Sequence, residues 1–357
     1  SMSIEHARLI TSWVALTGTL HASSEWLPEL PAERLDLIKR ALPANPAPAR
    51  PIDVLEQDLA RIWTSTDPAT GRHVIGLFNW DEKNPHRIEY DLARLDLPAG
   101  KTWIAHDYWS GRLLARFSAK LVTDLAPGSC QVLSLCETKP HPQILASSRH
   151  ITQGFTDMSG ERCNGATNIL SATTELVADD PTRLTIITST SGPGWLPGKP
   201  ALSPADQSAG VTFMLKRLGN LATLTLNSPI ARTVSWSLPF HQHTGGNAKL
   251  KAKNLRSTDP SFGSVRLEWD SAITLWQVRR DKGPAVLIEE PAFTDDSVIP
   301  GAKHTYQVSA FGSDAPPTTL TVTIPSRPKP GPVPPPPPVT KPQATTPPRS
   351  PPRPPPG

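Results

Sequence analysis

Residues 60–80, ARIWTSTDPATGRHVIGLFNW, decide the fold. Two short runs rich in β-branched and aromatic residues flank DPATG, a cluster of turn formers, which predicts two antiparallel strands joined by a tight connection. The texture continues downstream in RIEYDL, KTWIAHDYW, LVTDL and CQVLSLC, separated by DEKNP, LPAG, SG and APGS. Strands this short with turn signals this frequent make an antiparallel β-sandwich, placed at residues 47–140. A second all-β stretch, 141–248, runs through NILSATTELV, RLTIITST, GVTFMLKRL, ATLTLN and RTVSWSLPF. A third, 249–326, has SVRLEWD, TLWQVRRD and HTYQVSAF as its clearest strands.

Upstream of the hairpin the pattern is helical. EHARLITSWVAL, residues 5–16, places Leu9, Ile10, Trp13, Val14 and Leu16 on one broad stripe that needs cover. GTLHA then reads as a short strand and SSEWLPEL as a loop. PAERLDLIKRAL reads as a second helix, with Pro31 at its start and Lys39 and Arg40 in its last turn. One strand cannot make a sheet, so residues 1–46 either complete a partner or are the remnant of a larger α/β domain.

Composition bounds the rest. A chain of 357 residues has room for two or three domains, and 16 of its 42 prolines follow Ser326. Residues 327–357 therefore read as a disordered, polyproline-II-like tail. PRSPPR, 348–353, fits a pattern for SH3-type grooves, but a semi-rigid spacer is the preferred reading. The tail carries five basic residues and no acid, so the body is close to neutral and the pI near 9.0 belongs to the tail. With no basic stripe or nucleic-acid motif, nucleic acid is not an expected partner. No run reaches the roughly 18 apolar residues of a membrane span. Ser1-Met2 reads as a cloning remnant that says nothing about export, and an extracellular or cell-envelope location is favoured. Cys130 and Cys136 lie on one expected strand, about 20 Å apart at roughly 3.3 Å per residue, beyond disulfide reach. With Cys163 they read as packed thiols, and no cofactor or metal is expected.

Residues 5–136 resemble the C-terminal end of the clan D glycoside hydrolases, the α-galactosidase group of families 27 and 36. The resemblance rests on the order EHARLITSWVALTGTLHASSEWLPELPAERLDLIKR, GLFNWDE, YDLARLDLPAGKTW and HDYWSGRLLARF, at similar spacing to the family's last barrel unit and C-terminal sandwich. It implies a chain that is mainly β: the remnant of the last α/β unit of a (β/α)8 barrel, three β-sandwich modules and the tail. It also implies a galactoside-like carbohydrate as ligand and, as partner, an N-terminal catalytic barrel of the same polypeptide. The retaining mechanism of such enzymes needs two carboxylates about 5 Å apart, and in this family both aspartates sit on earlier barrel strands. The chain alone is therefore expected to be inactive. The loop after the last strand is the piece of active-site wall it would inherit, with His21, Ser23, Ser24 and Glu25 in that loop; His21, Ser24 and Glu25 are the substrate-binding candidates. Where the family has Ser-Asn-Asp, this chain has Ser-Ser-Glu. His21 also fits a satisfied core histidine, and Glu25 a solvated loop carboxylate. Residues 249–326 resemble a fibronectin type III domain through Trp269, WQVRRDKG and PGAKHTYQVSA, with Tyr306 at the tyrosine position of such sandwiches.

Other candidate chemistry is thinner. His241 and His243 alternate as strand neighbours without an acidic or thiol ligand nearby, which favours a solvated strand end. Asp179-Asp180, Glu289-Glu290 and Asp295-Asp296 read as turn residues. An indole face can hold a sugar, and Trp80, Trp103, Trp109 and Trp195 are the tryptophans with least regular spacing. Trp103 and Trp109 are expected to be buried, whereas Trp195, in SGPGWLPGKP, is the preferred exposed candidate. The competing function is a stand-alone carbohydrate-binding or surface-interaction protein.

Overall fold

The computed structural model describes residues 2–326, apart from 20–25, 96, 99, 189–193, 244–249, 259, 262, 272–274, 282, 284, 312 and 314. The chain is mainly β, in several sheets with few helices, as the sequence implies. Helix α1 (Ile4–Thr17) starts where Ser3 accepts from the His6 backbone N–H and ends at Gly18, whose left-handed φ of 65° turns its own N–H onto Val14 O. Helix α2 (Ala32–Ala41) follows, with Glu33 in its first turn and Lys39 and Arg40 in its last, an order that suits the helix dipole.

The first sandwich contains β1 (Arg50–Pro51), β2 (Ile62–Thr66), β3 (His73–Phe78), β4 (His86–Asp91), β5 (Trp103–Asp107), β6 (Leu113–Phe117), β7 (Lys120–Leu125) and β8 (Cys130–Glu137). Its main sheet runs β1-β2-β3-β8-β5-β6, while β4 and β7 form a separate pair. β7 alternates buried and open side chains, the mark of a strand with one wet face. β3 instead is buried at every residue from Val74 to Phe78, because both its faces are covered. Ile75 and Leu77 enter the sandwich core with Trp103 and Leu133. Val74 and Phe78 meet Leu9 and Leu16 of α1. Gly76 allows that approach, since a Cβ there would stand 2.5 Å from Leu16 Cδ1.

The second sandwich comprises β9 (Gln143–Ser147), β10 (Met158–Asn164), β11 (Ile169–Leu176), β12 (Thr182–Ile187), β13 (Gly194–Pro197), β14 (Ala201–Leu202), the short helix α3 (Pro204–Ser208), β15 (Thr212–Leu218), β16 (Leu221–Asn227) and β17 (Arg232–His243). One sheet is β10-β11-β17-β13 with β14 also on β17, the other β15-β16-β12-β9. The third contains β18 (Lys253–Thr258), β19 (Val265–Asp270), β20 (Trp276–Arg280), β21 (Ala285–Ile288), β22 (Ala292–Asp295), β23 (Lys303–Ala310) and β24 (Thr318–Thr323). Trp269, Trp276 and Tyr306 fill its core, and the Tyr306 hydroxyl donates to Asp295 Oδ2 at 2.8 Å.

The modules are not beads on a string. β21 pairs antiparallel with β6, Leu287 opposite Leu113 and Val286 opposite Leu114, so one ten-stranded sheet runs from the first sandwich into the third. Ile104, Leu113, Leu145, Ile187, Leu287 and Phe311, drawn from all three modules, pack into one buried cluster at the junction. Arg72, buried at the start of β3, pairs with Glu161 of β10 and donates to Ile144 O at 3.1 Å. The helical segment is tied to the second module as well: Arg40 grips Asp180 through two hydrogen bonds of 2.8 and 3.0 Å, and Ile151 N–H donates to Arg40 O.

Candidate functional site

His21, Ser24 and Glu25 lie outside the described residues. Trp195 is described, and the expectation that it stands exposed on a loop is corrected: it is 7% exposed, packs in the second core and donates from Nε1 to Pro140 O at 3.0 Å. The reason is pairing. The Gly- and Pro-flanked stretch is strand β13, set against the end of the long β17 with Trp195 opposite Gln242, and its indole turns inward.

The tryptophans expected in the core are there or at its edge. Trp103 is buried, and half-buried Trp109 donates to Ser12 Oγ of α1 at 2.8 Å. Trp109 belongs to a turn, Asp107 to Gly111, that joins three parts of the molecule. Asp107 accepts from Ser110 Oγ at 2.6 Å, Tyr108 donates to Ser148 O at 3.1 Å and Gly111 closes the turn at a φ of 65°. Its polar groups are spent on structure.

Several other chemistry-bearing residues are similarly committed. Burial pushes the Cys130 thiol up to about 12 and the Cys136 thiol up to about 11, so both stay protonated at neutral pH and are poor nucleophiles. Among the described residues no group of three or more His, Cys, Asp or Glu is arranged to hold a metal. Asp180 is bound by Arg40. Asp295, expected at a turn, ends β22 in the core; burial raises its pKa, but Arg280 and Ser297 outweigh that and hold it below the usual carboxylate range.

An open cleft of about 320 Å³ remains on the first sandwich, between residues 57–61 and the β3–β4 connection. Half-buried Trp80 forms part of its wall. The indole stacks on Phe78 at 5.3 Å, meets Trp13 of α1 edge-on at 6.4 Å and donates from Nε1 to Ala60 O at 2.9 Å. Asn79, buried behind it, donates to Asn84 O and Ala126 O. Asp81 folds the turn back on itself, accepting from the Asn84 side chain at 2.8 Å and from the Lys83 and Asn84 backbone N–H groups. Those bonds hold its carboxyl below the usual range, hence ionised. On the facing loop, Asp53 accepts from the Arg61 and Ile62 N–H groups, and Arg61 Nη1 donates to His86 Nε2. Burial, then Arg61, lowers the pKa of His86, so the ring is neutral at pH 7. Sequence reasoning named Trp80 but missed Gln57, Asp58 and Asn84. Their signal was present in LEQDLA and DEKNP, polar segments that fit neither strand alternation nor a helix start.

Residues 57–135 match the family described as the α-galactosidase C-terminal β-sandwich domain. Among solved structures, the chain is similar to α-galactosidase I from Mortierella vinacea, at 13% identity over 38% of this chain and 36% of that one, with a TM-score of 0.32. A candidate α-galactosidase/melibiase from Bacteroides fragilis is 18% identical over 38% of this chain and 29% of that one, at 0.29. A β-1,2-glucanase from Parabacteroides distasonis is 10% identical over 74% and 32%, at 0.22. The chain thus spans about a third of the length of these solved proteins. No curated protein matches it significantly in sequence.

Proposed function

We propose that this chain is the C-terminal, non-catalytic region of an α-galactosidase-like glycoside hydrolase, and that the two catalytic aspartates belong to a barrel linked upstream in the same polypeptide. The observation that carries this reading is the match of residues 57–135 to the C-terminal sandwich of α-galactosidases. The packing supports it. α1 lies on β3 and β8 of that sandwich through Leu9, Leu16, Val74 and Val132, as the final helices of a barrel would lie against the domain that follows. Ile10, Trp26 and Leu27 are exposed, apolar surface of the kind a barrel would cover. On this reading His21, Ser24 and Glu25 belong to the rim of the barrel's sugar site. Residues 249–326 are a fibronectin type III-like module, a role supported by the buried Trp269 and by Tyr306 anchored on Asp295.

The first sandwich stiffens the barrel and carries the other modules as a fixed extension. The chain alone then lacks both members of the carboxylate pair that retaining glycoside hydrolysis requires. Incubated with an aryl α-galactoside, it is expected to release no aryl alcohol above the uncatalysed rate. Steady turnover that survives repurification would contradict the assignment.

A further inference from the structure

We propose that the Trp80 cleft binds a neutral sugar ring, so that the first sandwich holds carbohydrate on its own account. This goes beyond the hydrolase reading and needs no barrel.

Three observations converge. The cleft's volume of about 320 Å³ lies at the lower end of small-ligand sites, which run from roughly 300 to 1,000 Å³, and so suits one or two rings. Its walls are fixed in advance: Trp80, Asn79, Asp81 and Asp53 all use their hydrogen bonds to hold the two loops in place. A site organised before binding loses less entropy when it is filled.

The groups left over are the ones a ligand can use. Gln57 and Asp58 have no hydrogen-bond or ion-pair partner among the described residues, although both line the cleft. Arg61 commits one nitrogen to His86, and Asn84 commits its side-chain nitrogen to Asp81 and its backbone carbonyl to Asn79, leaving the side-chain Oδ1 of Asn84 as an acceptor. Beside them stand apolar surfaces with no folding role. Leu59, on the wall, is 61% exposed, and Val54 and Leu55 on the same loop are also exposed. Three large apolar side chains exposed within six residues mark a contact surface more than chance does.

Charge and shape select the ligand class. Asp58 and Asp81 set two carboxylates against the single guanidinium of Arg61, which disfavours phosphate or uronate. A sugar hydroxyl can donate to a carboxylate and accept from a guanidinium or amide at once, while a pyranose C–H face covers indole and leucine. A neutral pyranose satisfies both sets of groups.

The test is a titration of the whole chain with the methyl glycosides of galactose, glucose, mannose and N-acetylglucosamine, followed by tryptophan fluorescence and by saturation-transfer NMR. At least one should give a saturable change. Asp58→Ala and Gln57→Ala, both on the loop surface and outside the core, should each weaken it about tenfold, the loss expected for a hydrogen bond to a charged or amide partner. Asp296→Ala, in the third module, should leave it unchanged. Trp80→Phe should lower the affinity while keeping the ring that packs on Phe78. The proposal is overturned if none of the four glycosides binds, if binding survives undiminished in Asp58→Ala and Gln57→Ala, or if a sugar phosphate binds more tightly than its neutral parent. Because the readout is binding, its failure leaves the hydrolase assignment standing, and failure of that assignment leaves the cleft.

Discussion

Gly76 shows how much can depend on one missing atom. A Cβ there would stand 2.5 Å from Leu16 Cδ1 and 2.7 Å from Phe78 Cε2, so Gly76→Ala must displace both side chains within a fully buried core. Overpacking of that kind costs about 1–3 kcal/mol, and the urea midpoint should fall accordingly with little change in slope. His150 sets a pH dependence. Its Nδ1 accepts from Thr152 N–H and its Nε2 contacts Pro43 O at 2.8 Å, and burial lowers its pKa to about 4. In the unfolded chain the ring titrates near 6.5. Between those values the unfolded state binds the proton and the folded state does not, so stability is complete above about pH 6.5 and declines as pH falls toward 4. His73 and His106, also depressed by burial, add to the slope. Urea unfolding at pH 7 and pH 5 should show it, with a shallower decline in His150→Gln. Neither effect was legible in the sequence: GLFNW does not show that a helix crosses Gly76, and nothing local marks His150 as buried.

At the scale of elements, the sequence spoke clearly where one face was wet. RIEYDL and HTYQVSA alternate, and they form β4 and β23 with alternating burial. It spoke less clearly where pairing was long-range. Trp195 was misread because glycine and proline suggest a loop, while β17, some 45 residues downstream, recruits the stretch as an edge strand. The junction of β6 and β21 was equally hidden, since LLARF and AVLI are short and their partnership spans more than 170 residues. That junction makes a prediction of its own. Leu287, 2% exposed, sits where the three modules meet. The intact chain should unfold calorimetrically with a single main transition, and Leu287→Asp, by placing a carboxylate in that cluster, should release the third module to melt separately at lower temperature. A wild-type chain that melts in three independent steps would contradict the shared core.

The whole molecule combines one recognisable sandwich with further β modules whose joining was hidden in the sequence. The first was readable because several motifs, GLFNWDE and HDYWSG among them, recur in order, and the structure shows that their polar residues are spent on turns and on α1. The cleft beside Trp80 was only partly readable: GLFNWDE covers one of its loops, but residues 57–61 carry no motif and reach Trp80 and Asn84 only through the fold. The most direct test of the central claim is the mass of the natural protein, measured by immunoblot with antibodies against the folded modules. A band larger than 38.6 kDa by the mass of a catalytic barrel is the predicted result. A single band near 38.6 kDa would contradict the claim that these modules are the C-terminal region of a longer hydrolase.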